Sequence, residues 1–400
     1  MKKLLATILA LVMALGVTTL SWAGENDYVT IDGLVDENGL IHYETLTAAA
    51  KAWRESKSIV TSDGNFGSHP AELTEVESIV WTIHGTVDTG NGEGVIGSVN
   101  AAILSGGYIY PAVSIKKIVV KGEDNATITD SISAGKGNGF TYIGGSGADV
   151  TIEHVAFPAY AYANSQCKSI TFNNCKFEKG LKILQAAEVS VTNNTFTNDG
   201  TTDPALFVQN CTAEIKISGN NISGYMRGMN IQAGNDAVVT IDNNTISDLT
   251  DANKGSAIQL TSGKTFTVTN NTISNAPANA FRIYENCPAE SITINNNTIS
   301  AKYLCWNQGY DMSKVSSADN TCSIEVPGAC AVGGNEIAQS DFTINVKTVT
   351  PPRYYYNPTT DTKTDTTKGS PKTFDAGVGI YAVTAVLSVT GMAWTAKKRH

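Results

Sequence analysis

One eight-residue phrase returns along the middle of the chain and restricts the fold more than any other feature. It runs Val-Ser-Val-Thr-Asn-Asn-Thr-Phe from Val189, Val-Thr-Ile-Asp-Asn-Asn-Thr-Ile from Val239, Phe-Thr-Val-Thr-Asn-Asn-Thr-Ile from Phe266 and Ile-Thr-Ile-Asn-Asn-Asn-Thr-Ile from Ile292. Looser copies begin at Val150, Ile170 and Ile215, so the phrase recurs at intervals of 19 to 27 residues. A phrase that returns with such a period marks a stack of similar coils, each burying its apolar face against its neighbours.

With the first apolar residue as position zero, apolar side chains fall at positions zero, two and seven. The series opens with Val150, Ile152 and Phe157 and closes with Ile292, Ile294 and Ile299. The residue at position one is polar each time (Thr151, Thr171, Ser190, Lys216, Thr240, Thr267, Thr293). Side chains alternate across a strand with period two, so this pattern describes a strand packed on one side only. A second strand is expected in each unit, with inward pairs Phe140 and Tyr142, Tyr160 and Tyr162, Leu181 and Ile183, Leu206 and Val208. The pairs continue as Met229 and Ile231, Ile258 and Leu260, Phe281 and Ile283, and Leu304 and Trp306. Short strands separated by turns give a parallel β-helix. A leucine-rich repeat needs a Leu-x-x-Leu-x-Leu frame, and helical repeats need longer runs of period 3.6; neither is present.

At position five stand Asn194, Asn220, Asn244, Asn271 and Asn297. Stacked at a turn, these amides can hydrogen-bond from coil to coil, and Asn tolerates the left-handed backbone that turns require. The sequence there also matches the Asn-x-Thr/Ser glycosylation pattern, as at Asn243-Asn244-Thr245, but the repeat already explains it.

Outside the array the chain divides by composition. Residues 1–23 read as a secretory signal: Lys2 and Lys3, an apolar run to Leu20, then Ser21-Trp22-Ala23, with cleavage expected after Ala23. Residues 24–77 form an N-terminal cap region. There Leu46, Ala49, Ala50 and Trp53 lie at i, i+3, i+4 and i+7, a short amphipathic helix suited to closing the first coil. Ile79, Trp81 and Ile83 start the coil, and Ile118 to Val120 with Ala126 to Ile128 form an early rung around a turn at Gly122. The β-helix spans 78–347. A polar Thr/Asp/Pro-rich linker follows over 348–374, containing a Tyr354-Tyr355-Tyr356 run expected to pack on the last coil. Residues 375–400 hold an uncharged apolar stretch, 376–396, long enough to span a bilayer, and then Lys397-Lys398-Arg399, which sets that end in the cytoplasm. The fold class expected is all-β, a parallel β-helix with a capping helix and a C-terminal transmembrane helix.

Two resemblances add to this reading. Through the stacked phrases and the Asn ladder, about 79–344 resembles the right-handed parallel β-helix proteins, pectate-lyase-like in fold. That family contains polysaccharide lyases, glycosidases, adhesins and wall proteins, so the resemblance implies a fold and leaves the activity open. The order of near-motif, apolar span and basic tail resembles the sorting signal of Gram-positive cell-wall proteins, Leu-Pro-any-Thr-Gly. Pro371, Lys372 and Thr373 match its second to fourth positions, Ser370 replaces Leu and Phe374 replaces Gly. The resemblance implies a sortase as partner and cleavage after Thr373.

Composition narrows the function classes. A net charge of −9 without clustered Lys and Arg excludes a nucleic-acid partner, which would need cations to displace counterions. The cysteine count is odd, seven. Cys167, Cys211 and Cys287 are expected as small buried side chains in the stack, and Cys322 with Cys330 are the disulfide candidates. No Cys-x-x-Cys or His cluster suggests a metal, and no cofactor is expected. For hydrolytic chemistry two carboxylates must converge. Asp199 and Asp203, and Asp248 and Asp251, sit in long turns and are expected to form those turns. No catalytic residue is assigned. Arg227 and Arg282 are the only Arg residues of the array. Arg282 is expected to face outward beside Tyr284 and Glu285, as a partner of Glu285, a contact for sugar hydroxyls or uronates, or the base of a lyase. The outward second-strand surface carries Phe207, Asn230, Gln259, Arg282 and Tyr284, flanked by Gln209 and Gln232, the aromatic and amide types that sugars bind. The expected function is an anchored surface adhesin that binds polysaccharide or a host glycan. A polysaccharide lyase or glycoside hydrolase, or a wall spacer without a ligand, are the alternatives.

Overall fold

The structure is a computed structural model and describes residues 26–56, 74–89, 95–96, 113–129, 140–143, 147–164, 166–284, 286–326, 329–332 and 335–338. The signal segment, the linker, the sorting-like motif and the apolar stretch 376–396 lie outside these residues. Among the described residues no helix is long and apolar enough to cross a membrane.

The described chain winds as a parallel β-helix with three faces. The phrase builds the first face, from Asp149–Glu153, Ser169–Asn173, Glu188–Thr192, Glu214–Ser218, Val238–Asp242, Thr265–Thr269, Ser291–Asn295 and Val315–Ala318. Each strand pairs in parallel with the next, and position zero meets position zero: Ile170 with Val189, Val189 with Ile215, Ile215 with Val239. The second face consists of short strands such as Lys176–Phe177, Thr195–Thr197 and Asn221–Ser223. The third face contains Tyr160–Asn164, Leu181–Leu184, Leu206–Gln209, Met229–Gln232, Ser256–Ser262 and the later parts of Thr272–Ile283 and Thr298–Asn307. These pairings merge into one sheet of 26 strands, which can run continuously only because it coils around a single core.

Positions zero, two and seven are buried in every copy of the phrase, from Val150, Ile152 and Phe157 to Ile292, Ile294 and Ile299. Position seven stacks its rings: Phe157 on Phe177 at 5.3 Å and Phe177 on Phe196 at 4.7 Å. Each such side chain contributes about 1.5–3 kcal/mol by leaving water. The burial is therefore shared along the coil.

The Asn ladder forms at position five. Asn194 Nδ2 donates to Asn220 Oδ1 at 3.0 Å, Asn220 to Asn244 at 2.8 Å, Asn244 to Asn271 at 2.9 Å, Asn271 to Asn297 at 3.0 Å and Asn297 to Asn320 at 2.9 Å. Each Nδ2 also reaches back to a carbonyl of the preceding coil, as Asn244 does to Ile217 O at 3.0 Å. The left-handed residue is not this Asn but the one before it: Asn193, Asn243, Asn270 and Asn296 have φ between 54° and 57°. The two Asn of the pair thus divide the work that the sequence reading gave to one. The first bends the backbone and the second, fully buried, bonds along the stack.

At the N-terminal end, α1 (Leu46–Ser56) forms with Leu46, Ala49, Ala50 and Trp53 buried. Thr45 caps it, its Oγ1 accepting from Ala48 N at 3.1 Å. Tyr28–Ile31 pairs antiparallel with Thr74–Asp88 through Val29 and Ile83, and so occupies the first coil's open edge. The expected turn falls at Asn125 and not at Gly122: within Val113–Thr129, Lys117 to Lys121 pair with Asp149–Glu153 and Thr127 pairs with Ala156, and Asn125 between them has φ 60°. Gly122 is needed for room: a Cβ there would lie 2.0 Å from the His154 carbonyl oxygen.

The cysteines Cys167, Cys175, Cys211, Cys287 and Cys305 are buried. Burial pushes the Cys175 thiol up to about 12 and the Cys211 thiol to about 11. Cys322 is a free, half-buried thiol, and the side chain of Cys330, its expected partner, lies outside the described residues.

Candidate functional site

On the third face, the residue between two buried neighbours points outward. Between Leu181 and Ile183 this is Lys182, between Leu206 and Val208 it is Phe207, and between Met229 and Ile231 it is Asn230. The parallel register aligns these positions into one line along the coil: Tyr162, Lys182, Phe207, Asn230, Gln259, Arg282 and Trp306. Tyr142 precedes them in backbone register.

Two entries in this line correct the sequence reading. Tyr160 and Tyr162 were expected to point inward, but Ala161 and Ala163 are buried there instead and the tyrosines flank them on the outside. The same backbone register places Phe140 and Tyr142 opposite Tyr160 and Tyr162. In the last coil Tyr303 and Cys305 take the inward places expected for Leu304 and Trp306, so Trp306 aligns with Arg282. The inward side of a coil has fixed width, and two alanines suit it where large residues already fill the adjacent faces.

The line contains two stacked cations. The Arg282 guanidinium lies between two rings, 3.9 Å from the Trp306 centroid and 4.5 Å from that of Tyr284. Its Nε donates to Gln308 Oε1 at 3.3 Å. Burial pushes its pKa downward, but a guanidinium remains charged. Lys182 places its Nζ 4.8 Å from the Phe207 centroid and 5.6 Å from that of Tyr162. Such contacts contribute about 0.5–2 kcal/mol and, more usefully here, hold a flexible cation in one place.

Between the two cations runs a polar chain. Thr261 Oγ1 donates to Asn230 Oδ1 at 3.2 Å, Gln259 Nε2 donates to Thr261 Oγ1 at 3.3 Å, and Arg227 Nη1 donates to Gln259 Oε1 at 3.4 Å. Arg227 is itself held by Asp203, through Nε to Oδ1 at 2.6 Å and through a second, Nη2 to Oδ2 contact. That bidentate pair raises the Arg227 pKa further. Gln259 is only 3 % exposed, so it supports Arg227 and does not offer its amide to solvent. Of the five residues expected in a sugar-binding surface, Phe207, Asn230, Arg282 and Tyr284 keep an exposed edge or atom, and Gln259 lies beneath them. Gln209 and Gln232 pair with each other at 3.3 Å beside the line.

The turn carboxylates have local partners. Asp199 Oδ1 accepts from Thr201 Oγ1 at 2.6 Å, and Asp251 Oδ1 accepts from Asn253 N at 3.0 Å and Lys254 N at 3.2 Å. Asp248 has a left-handed backbone and accepts from Asn275 at 3.3 Å. Asp203 is taken by Arg227. Among the described residues no three His, Cys, Asp or Glu side chains group as metal ligands would. An open depression of about 480 Å³ lies at the corner after the third face, near Cys167, Gln185 and Asn210. Its cation, Lys168, is neutralised by Asp149 at 3.0 Å. Glu285, Pro371, Lys372, Thr373 and Ala23 lie outside the described residues.

Sequence reasoning missed Tyr162 and Trp306 because it took aromatic residues as inward, and it passed over Lys182, which its own inward pair of Leu181 and Ile183 already sets outside. The register carried along from Leu181 and Ile183 places both aromatic residues outside as well. Arg227 and Asp203 are 24 residues apart, and only the equal pitch of the coils brings them together.

Residues 159–337 match the family model described as a right-handed β-helix region. Comparisons with the curated proteins and with the solved structures give no match. The matched span coincides with the regular array, and with the parallel register it identifies that part of the chain as a right-handed parallel β-helix.

Proposed function

We propose that this protein is a non-catalytic, glycan-binding β-helix displayed on a cell surface, with the third face as its binding surface. The observation that carries this reading is the outward line from Tyr162 to Trp306. It sets rings, an amide and two immobilised cations at the pitch of the coils, about 4.8 Å apart. A sugar chain lying along the helix axis would meet a new side chain at roughly every residue. Rings cover the apolar faces of sugars, and amides and cations meet their oxygens. The turn carboxylates are already engaged in shaping their own turns, which favours binding over hydrolysis. Residues 1–23 would direct export with cleavage after Ala23. The stretch 376–396 with its basic tail, or a sortase acting after Thr373, would retain the protein at the wall or membrane.

The purified protein, tested on a glycan array, is expected to retain extended polysaccharides and to lose them on Phe207→Ala, the half-exposed ring of the line. A protein that retains no glycan would be a spacer. Release of unsaturated or reducing products from a bound polysaccharide would make it an enzyme. Mass spectrometry of wall and membrane fractions separates the anchors: a C-terminal peptide ending at Thr373 in the wall indicates a sortase, and an intact tail in the membrane indicates a permanent span.

A further inference from the structure

We infer that the third face is specific for acidic polysaccharides, and that Lys182 and Arg282 are its two anion-reading positions. This rests on the glycan-binding reading above and names the ligand class. Two cations of this face have no counter-ion among the described residues. Arg282 is 9 % exposed, and among the described residues its terminal nitrogens have no hydrogen bond and no carboxylate. They are not among the buried unpaired atoms, so they reach solvent. Lys182 is held by rings alone. Arg227 makes the contrast: its charge is met in bidentate fashion by Asp203. A partly desolvated cation is costly until an anion meets it. Lys182 and Arg282 are left in that condition among the described residues.

Among the described residues the other charges facing the site do not fill the gap. Asp203 belongs to Arg227, and Asp251 is turned into its own loop beside Lys254. The chain's net charge of −9 would oppose an acidic ligand only within about 8–10 Å, beyond which salt screens it. Local cations therefore dominate contact.

Geometry adds a length requirement. Lys182 and Arg282 are four registered steps apart, through Phe207, Asn230 and Gln259. At about 4.8 Å per step the separation is about 19 Å. A ligand engaging both must carry carboxylate or sulfate groups spaced along an extended chain of roughly four or five sugars. Phe207 and Asn230 would lie under the sugars between.

The test measures binding of hyaluronan, alginate and chondroitin sulfate beside neutral dextran and galactomannan, at low and moderate salt. Acidic polymers are expected to bind more tightly and to weaken as salt rises. Lys182→Gln and Arg282→Gln should each lower that affinity about ten-fold, a larger loss than on the neutral chains. Arg282→Lys should recover part of the loss. Uronate disaccharides should bind weakly and lose sensitivity to one of the two substitutions, because they cannot span both centres. Lys182 is half-exposed and its substitution leaves the core intact, so it decides the matter even if Arg282→Gln unfolds. Equal binding of neutral and acidic chains, unaffected by Lys182→Gln, would overturn the anionic specificity and leave glycan binding standing. No binding of either class would remove both readings.

Discussion

At the scale of single residues, the paired Asn of the phrase shows how much a short repeat can encode. The sequence places an Asn ladder at position five, and the ladder is present. What it could not separate was which Asn turns the backbone and which bonds along the stack, because both tasks suit the same side chain. The separation can be tested at neighbouring positions. Asn243 has φ 54° and lies at the bend, so Asn243→Gly should be nearly neutral and Asn243→Ala should cost about 1 kcal/mol. Asn244 is 1 % exposed and bonds to Asn271 and to Ile217 O. Asn244→Ala leaves buried partners unmatched on both neighbouring coils and should cost roughly 2–4 kcal/mol, read as a lower urea midpoint. If the two alanine substitutions cost the same, the division of roles is wrong.

At the scale of elements, the period-two signal worked where side chains followed the rule of large inside and polar outside. It failed where they did not. The phrase strands obey that rule in every copy, and their buried positions were legible. On the third face, Ala161 and Ala163 lie inside while Tyr160 and Tyr162 lie outside, and Trp306 joins Arg282 outside. Hydrophobicity alone inverts the phase of such strands; register against Leu181 and Ile183 restores it. Gly122 offers a similar lesson, since the turn of its rung lies at Asn125 and the glycine marks a point of close approach. Gly122→Ala would push a methyl group against the His154 backbone, 2.0 Å away. The neighbouring coils must separate, so a loss of at least about 3 kcal/mol is expected. The helix cap is a milder case. Thr45→Ala removes the acceptor for Ala48 N and should cost about 1 kcal/mol, read as a lower midpoint for the N-terminal coils. Should the glycine change prove cheaper than the cap change, the tight contact between the coils is misplaced.

For the whole molecule, architecture was legible because a coil repeats its instructions, whereas the candidate site was only half legible because it is assembled across coils. Arg227 meets Asp203, and Arg282 meets Trp306, through equal pitch and not through sequence spacing. The shared core also gives the molecule one collective dependence on pH. Thiols and phenols that would ordinarily ionise near 9.0 and 10.0 are buried along the coil. Burial pushes Cys175 up to about 12, Cys211 and Cys322 to about 11, and Tyr160 and Tyr310 to about 12. In the unfolded chain these groups release their protons first, so above an ordinary thiol's range the folded state binds more protons than the unfolded one. Stability then falls as pH rises. The loss begins near pH 9, continues until the buried groups themselves ionise near pH 11–12, and is absent below pH 9. Urea midpoints should therefore be level between about pH 7 and 8.5 and drop steadily by about pH 10.5. Over the same range Cys175 and Cys211 should resist alkylation until the coil opens, since the thiolate is the reactive form. Cys175→Ala with Cys211→Ala should flatten part of the alkaline slope. A slope left unchanged by removing both thiols would assign the alkaline sensitivity to the phenols, and rapid alkylation of Cys175 in the folded protein at pH near 8 would show that the coil does not seal its core.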